Sequence, residues 1–201
     1  MDFVWQILAV SSDALEKHIA AITAIIAFAA VIQWRETRIT AERQLRAYVL
    51  NSSASLYDGS TMPNAIVNRA GQPAVVLIIT NHGQTPAYQV NHWAEIEVAP
   101  RVNEERMSVP SGHASAQAFI LGPSGTGTAM RWLGRPITPQ EQAAIINGTY
   151  AIYAYGRVEY LDAFKQRRWS TYRLRYSGSA WPPIGGGSMS MDFCEGGNDA
   201  N

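Results

Sequence analysis

The stretch that decides the fold is Tyr150-Ala-Ile-Tyr-Ala-Tyr-Gly-Arg-Val-Glu-Tyr160. Every second side chain, beginning with Tyr150, is predicted to face a core, and the side chains between them are predicted to face outward. Leu161 to Lys165 predict a hairpin loop, and Arg168 to Tyr176 predict the return strand. This part of the chain therefore indicates an antiparallel β-hairpin with one buried face.

The segments before this hairpin also have sequence patterns typical of strands. Strands are predicted at residues 48–56, 74–79, 88–98, 117–121 and 126–133. One short helix interrupts the series, with Thr138 as its cap, Pro139 at its first position, Glu141 completing a capping box and Gly148 at its end. About seven short strands at this spacing predict a mainly β fold, an immunoglobulin-like antiparallel β-sandwich over residues 48–180.

An apolar segment precedes the sandwich. Ile19 to Ile32 contains no charged residue, and residues 14–34 give about 20 residues of helix, roughly the thickness of a bilayer core. The segment predicts a transmembrane helix over 14–34 that is capped at Ser12, with residues 1–13 as its N-terminal flank. Residues 35–47 predict a helical juxtamembrane stalk. A buried core helix and a cleavable signal peptide are the two alternative interpretations.

The charges beside this segment predict its direction. Arg35, Arg38, Arg43 and Arg46 follow it, whereas Lys17 alone precedes it. Because loops that stay in the cytoplasm carry an excess of Lys and Arg, the N-terminus is predicted to lie outside and the C-terminal domain in the cytoplasm.

The composition argues against several classes of function. The net charge is zero, so nucleic acid is not an expected partner. The single Cys194 excludes an intrachain disulfide and a thiolate metal cage. His82, His92 and His113 lack the spacing of metal ligands, and His92 is predicted to be a core histidine with a backbone partner. We therefore expect no metal, no cofactor and no enzymatic activity.

Three motifs resemble a known group of proteins. They are Ala41-Glu-Arg-Gln-Leu-Arg-Ala-Tyr-Val49, Asn81-His-Gly-Gln-Thr-Pro-Ala87 and Tyr155-Gly-Arg-Val-Glu-Tyr160 with Asp162 and Phe164. Together they resemble uncharacterised bacterial proteins with one N-terminal membrane helix and a small Ig-like β-rich domain. The chain departs from that group at Lys165, where the group tends to have glycine. The resemblance implies the architecture and leaves the function open. The predicted location is the bacterial inner membrane. Read by itself, the middle motif predicts a structural turn in which Asn81 and Gly83 take left-handed conformations.

Outward-facing aromatic residues suggest the leading hypothesis for function. Trp93, Tyr153, Tyr155 and Trp169 are predicted to be exposed, and exposed aromatic residues often mark protein interfaces. The hypothesis is a membrane-anchored, non-enzymatic domain that binds a protein partner of unknown identity. This hypothesis is also compatible with a homo-oligomer of the chain.

The last predicted strand suggests an alternative function. Arg173 and Arg175 are predicted to lie on one side of it, with Arg168 beside them, and they could bind an anionic ligand such as a nucleic-acid backbone or a lipid headgroup. The competing interpretation is an edge strand whose charges block aggregation and are partly neutralised by Glu159 and Asp162. Residues 181–201, rich in proline, glycine and acidic side chains, predict a flexible acidic tail.

Overall fold

The computed structural model describes residues 2–60, 69–107, 118–178 and 187–201. The chain divides into two compact units, Met1–Gln44 and Leu45–Asn201. The second unit contains the predicted β domain, residues 48–180, and extends beyond it at both ends.

The first unit is a single helix, α1, which runs from Asp2 to Leu45. Its segment Leu15–Leu45 is long and apolar enough to cross a membrane. The Thr23 hydroxyl donates to the Ile19 carbonyl at 2.8 Å, so its donor is satisfied within the apolar stretch. The predicted helix start at Ser12 is wrong, because the helix continues through it; a serine inside a helix costs only a few tenths of a kcal/mol, roughly.

The described residues of the second unit form ten strands, one 3₁₀ turn and one short helix. Its strands are β1 (Val49–Gly59), β2 (Arg69–Asn81), β3 (Ala87–Pro100), β4 (Phe119–Leu121), β5 (Thr126–Trp132), β6 (Tyr150–Leu161), β7 (Arg167–Tyr176), β8 (Met189–Ser190), β9 (Asp192–Phe193) and β10 (Asp199–Ala200). The 3₁₀ turn is Arg101–Arg106 and helix α2 is Pro139–Ile146.

The strands form two antiparallel sheets. The four-stranded sheet has the order β5-β2-β1-β8, and the larger sheet has the order β10-β7-β6-β3-β4, with β9 also paired to β7. The orders β5-β2-β1 and β7-β6-β3-β4 correspond to strands E-B-A and G-F-C-C′ of an immunoglobulin domain. The predicted mainly β, immunoglobulin-like sandwich is confirmed.

The core lies between the two sheets. Leu56, Leu77 and Ile79 of the smaller sheet and Ile152 and Leu174 of the larger sheet are each at most 1% exposed. Along β6 the buried side chains follow the predicted period of two from Ala154 to Tyr160, whereas Ala151 to Ala154 are buried on both faces of the strand. Burial of such side chains contributes roughly 1.5–3 kcal/mol each, so this core is the main source of stability.

A bulge interrupts the alternation of side chains near the start of β3. An unbroken strand would place Tyr88 on the same face as Val90, but Tyr88 is 41% exposed and Val90 is buried. The pairing register with β6 shifts between Tyr88 and Asn91, and Gln89 has a φ of 50°. The additional residue in a bulge turns the preceding side chain to the other face.

The predicted flexible tail is wrong for residues 187–201, while residues 181–186 lie outside the described chain. The segment first pairs with β1 at Ser55 and Leu56. It then pairs with β7 through β9 and β10, and it buries Met191 and Cys194. Because this segment covers the side of β7 that faces away from β6, the interpretation of β7 as a charged edge strand is also wrong.

The predicted turn after β2 is confirmed as structural. Asn81 Oδ1 accepts from the backbone N–H of Tyr48 and Gly83. Its Nδ2 donates to the carbonyls of Thr85, Leu121 and Gly122. The predicted left-handed conformation is wrong, because neither Asn81 nor Gly83 has a positive φ. A Cβ at Gly83 would instead collide with the Arg46 carbonyl.

The short helix forms as its sequence predicts. The Thr138 hydroxyl accepts from the Glu141 N–H at 3.2 Å, and the Glu141 carboxylate accepts from the Thr138 N–H at 3.0 Å. Gly148 ends the helix with a φ of 79°. Hydrogen bonds to Arg135 and to Thr138 lower the pKa of Glu141 to about 2, against a smaller opposing effect of burial.

Candidate interaction surface

The outer face of the larger sheet carries three columns of side chains that differ in chemistry. Cross-strand pairing aligns Glu95 of β3 with Tyr155 of β6, and Tyr155 with Arg173 of β7. The next row holds Glu97, Tyr153 and Arg175. The register therefore places an acidic column on β3, an aromatic column on β6 and a basic column on β7.

Trp93 and Tyr155 form the aromatic centre of this face. Their ring centroids are 5.9 Å apart in an edge-to-face arrangement, and both side chains are half-buried. The Tyr155 hydroxyl donates to the Glu97 carboxylate at 3.4 Å. Burial raises the pKa of Tyr155, and the nearby carboxylates of Glu97 and Glu95 raise it further, so the phenol stays a hydrogen-bond donor.

Trp169 lies beside this centre and is covered on one side by Arg157. The Arg157 guanidinium carbon is 4.5 Å from the Trp169 ring centroid, and its Nε lies 2.6 Å from a Glu159 carboxylate oxygen. A shallow pocket of about 410 Å³ opens next to them and is also lined by Gln89. We refer to Trp93, Tyr155, Arg157 and Trp169, with the exposed Glu95 and Glu97, as the aromatic face.

Tyr153 does not belong to this exposed surface, which corrects its prediction. It points outward from the sheet as its position in β6 requires, but its exposure is 0%. A second apolar cluster covers it and contains Ala99, Met107 and Cys194. Ala99 lies at the end of β3, Met107 follows the 3₁₀ turn, and Cys194 lies in the C-terminal segment. Tyr153 is therefore part of a packed cluster and not of an exposed surface.

Three of the arginines of β7, namely Arg168, Arg173 and Arg175, have partners inside the domain. Arg168 Nε lies 3.0 Å from a carboxylate oxygen of Asp162, whose side chain is fully buried. Arg175 pairs with Glu104 at 2.9 Å. Arg173 is only 9% exposed and donates to the Met107 carbonyl. The prediction of an exposed cationic stripe is therefore wrong for Arg173, and Arg168 and Arg175 are each neutralised by a carboxylate.

His92 is a core histidine, as predicted, but its partner is a side chain. Its Nε2 lies 2.5 Å from the Tyr172 hydroxyl. Burial, with a smaller effect of Arg131, lowers the pKa of His92 to about 4, so the ring is neutral at physiological pH. Among the described residues no three His, Cys, Asp or Glu side chains are placed to hold a metal ion; His113 lies outside them.

The opposite outer face, on the smaller sheet, was not singled out by the sequence. The apolar run at 74–79 predicts a fully buried strand, and β2 is central as expected. However, Ile78 is 36% exposed and Met130 beside it is 38% exposed. Pairing aligns Ile78 with Ser53 and Thr128, so this face is built from aliphatic and hydroxyl side chains.

No protein-family model, curated protein or solved structure matches the chain. The resemblance to single-pass bacterial membrane proteins stays a prediction.

Proposed function

We propose that this chain is a single-pass inner-membrane protein of bacteria whose β-sandwich domain binds a protein partner through the aromatic face, without enzymatic activity. Helix α1 supports the anchor, since it has the length and apolarity for a membrane span. Its downstream arginines support a cytoplasmic domain and an external N-terminus.

The Trp93–Tyr155 pair is the observation that carries the proposal. Tryptophan, tyrosine and arginine are the residues most enriched where protein interfaces gain their binding energy. Here Trp93, Tyr155, Trp169 and Arg157 stand together on rigid neighbouring strands. The pair holds its side chains in one arrangement, so little conformational entropy is lost when a partner binds.

The charges around the pair suggest the chemistry of the partner. Glu95 and Glu97 are exposed on β3, whereas Arg168 and Arg175 of β7 already have carboxylate partners inside the domain. A complementary partner surface presents Lys or Arg beside an apolar side chain. Such binding weakens with increasing salt, because exposed charges are screened over about 10 Å at 0.1 M ionic strength.

The opposite face is the weaker candidate. Its side chains include Val76, Ser53 and Thr128, and valine, serine and threonine are under-represented among residues that dominate binding energy. The anionic-ligand alternative is weaker still, because Arg168, Arg173 and Arg175 would have to leave their internal partners. Arg167 is exposed on this strand and is the first residue to test for that function.

Site-specific photo-cross-linking in living cells tests the proposal. A photoreactive amino acid replaces Trp93 in the full chain, and a matched variant carries it at Thr128 on the opposite face. We expect one discrete adduct from position 93 that is absent from position 128. Equal adducts from both positions, or none from position 93, would contradict the aromatic face as the interface.

A reporter fused to the C-terminus tests the predicted orientation separately. A reporter that is active only in the cytoplasm is expected to be active, and one that is active only in the periplasm is expected to be silent. The reverse result would overturn the orientation and would direct the search for the partner to the cell envelope.

A further inference from the structure

A pocket of about 410 Å³ on the outer face of the larger sheet is lined by three arginines. Two of them are neutralised, since Arg157 pairs with Glu159 at 2.6 Å and Arg168 pairs with Asp162 at 3.0 Å. The third, Arg167, is exposed, and among the described residues no carboxylate forms an ion pair with it. The pocket therefore presents a positive charge that an anionic group of a ligand can neutralise.

Apolar side chains stand beside this charge. Trp169 lies two residues beyond Arg167 along β7, so the two side chains share a face and their Cα atoms are roughly 7 Å apart. Pairing between β6 and β7 aligns Leu161 with Arg167, and both Leu161 and Trp169 line the pocket. A ligand that meets both features carries an anionic group close to an apolar one.

The bulge in β3 adds a polar side chain to the pocket. Between the pairs Tyr88–Leu161 and Asn91–Glu159, β3 has two residues and β6 has one. The additional residue, Gln89, has a φ of 50°, which glycine adopts without strain and glutamine does not. Its side chain is exposed and lines the pocket. Bulges are frequent beside active sites, where they redirect a side chain, and strained residues cluster where ligands bind. The bulge therefore indicates that Gln89 contacts a ligand.

We propose that this pocket binds the C-terminal residue of the partner polypeptide, through its carboxylate and an apolar side chain. The inference rests on the proposed function, because Arg157 and Trp169 belong to the aromatic face. The Arg167 guanidinium donates to the carboxylate, and its planar fork matches the two carboxylate oxygens. The apolar side chain packs against Trp169 and Leu161, and the Gln89 carboxamide hydrogen-bonds to the adjoining peptide unit. An aspartate or glutamate side chain supplies the anion but carries no apolar group on the same Cα.

Titration of the full chain in micelles of a non-ionic detergent with N-acetyl-leucine tests the pocket. The readout is the backbone amide signals of Arg167 and Trp169 in ¹⁵N spectra. N-acetyl-leucinamide is the control without a carboxylate, and the α-amide of N-acetyl-aspartate carries its carboxylate on the side chain. We expect the signals to shift with N-acetyl-leucine at millimolar concentration, and at least tenfold weaker affinity for both controls. Unmoved signals, or equal affinity for either control, would overturn the proposal.

Two substitutions of exposed cations separate a specific site from general attraction by charge. Arg167→Gln is expected to weaken binding of N-acetyl-leucine at least tenfold. Lys165→Gln is the matched control, since Lys165 is also exposed but does not line the pocket, and it should leave the affinity unchanged. Wild-type affinity in Arg167→Gln, or equal losses in the two variants, would contradict the proposed site.

The variant Gln89→Gly tests the contribution of the bulge. Glycine removes the strain of the left-handed conformation, so the melting temperature is expected to be no lower than that of the wild type. The affinity for N-acetyl-leucine is expected to fall at least threefold. Unchanged affinity would contradict the contact with Gln89. Cross-linking at Trp93 without a response to N-acetyl-leucine would overturn this inference alone, whereas a response without cross-linking would contradict the proposed function and not the pocket.

Discussion

The rings of Trp93 and Tyr155 meet edge to face on neighbouring strands, with centroids 5.9 Å apart and planes inclined at 65°. A pair of this kind contributes roughly 0.5–1.5 kcal/mol beyond the area it buries. The two side chains remain half-exposed on the open face of the sheet. They therefore form a rigid, amphipathic platform, the type of surface from which protein interfaces gain most of their binding energy.

The backbone beneath this platform requires glycine at position 156. A Cβ there would collide with the Tyr172 hydroxyl and the Trp93 carbonyl oxygen. We expect Gly156→Ala to destabilise the domain by about 2–3 kcal/mol, a fall in melting temperature of roughly 5–10 °C. Gly122→Ala is the control, since its Cβ would meet nothing within 4 Å, and it should change stability by less than about 0.5 kcal/mol. Equal melting temperatures for the two variants would contradict the close packing at Gly156.

The neutral His92 makes stability depend on pH. Its pKa is lowered from 6.5 to about 4 in the folded state, chiefly by burial. Between these values the unfolded chain binds the proton and the folded chain does not, so the free energy of unfolding falls as pH decreases from 6.5 to 4. The contribution of this group over that window is about 3 kcal/mol.

The variant His92→Gln isolates this effect, because glutamine keeps a polar group near Tyr172 but does not titrate. Urea denaturation at pH 7, 6 and 5 should show a shallower loss of stability for the variant than for the wild type. Parallel pH profiles would show that His92 is protonated, or solvated, in the folded protein.

The buried Asp162 determines the conformation of the β6–β7 loop. Its carboxylate accepts from the N–H groups of Phe164 and Gln166, both at 2.9 Å, and from Arg168 at 3.0 Å. Asp162→Ala leaves these donors without their partner, and we expect a loss of about 3–5 kcal/mol in the free energy of unfolding. Arg167→Ala alters an exposed neighbour and should cost less than about 0.5 kcal/mol. A similar small loss for both would refute this role of Asp162.

Cys194 reports on the docking of the C-terminal segment. Its side chain is 4% exposed, and burial, with Glu104 nearby, raises the pKa of the thiol to about 12. Reduced ionisation alone should slow its modification by a disulfide reagent at pH 8 about 10³-fold relative to the unfolded chain. The double variant Ser190→Cys/Cys194→Ser, with its thiol at an exposed position of the same segment, should react rapidly. Rapid modification of wild-type Cys194 would show that the segment is free.

The sequence predicts those elements that are specified by residues lying close together in the chain. The capping box of α2 is observed, and the period of two in β6 is observed from Ala154 to Tyr160. The neutralisation of Arg168 by Asp162 was also foreseeable, because the two lie six residues apart in one hairpin.

The errors come from contacts between distant parts of the chain. Tyr153 is buried by Met107 and Cys194, and nothing in the β6 sequence indicates that distant residues pack over this side chain. The glycine-rich composition near the C-terminus predicts flexibility, whereas two buried side chains and short strand pairings hold residues 187–201 in place. The bulge at Gln89 lacks the glycine that usually signals a left-handed residue, so the position of Tyr88 could not be predicted.

Affinity for the cross-linked partner tests binding through the aromatic face most directly. The full chain in lipid nanodiscs is compared with its Trp93→Ala/Tyr155→Ala variant and with a control, Ile78→Ala/Thr128→Ala, on the opposite face. If the partner binds the aromatic face, we expect at least a hundredfold weaker binding for the first variant, which corresponds to about 2.8 kcal/mol. We expect unchanged binding for the control. Wild-type affinity in the first variant, with all three proteins folded, would contradict the proposed function.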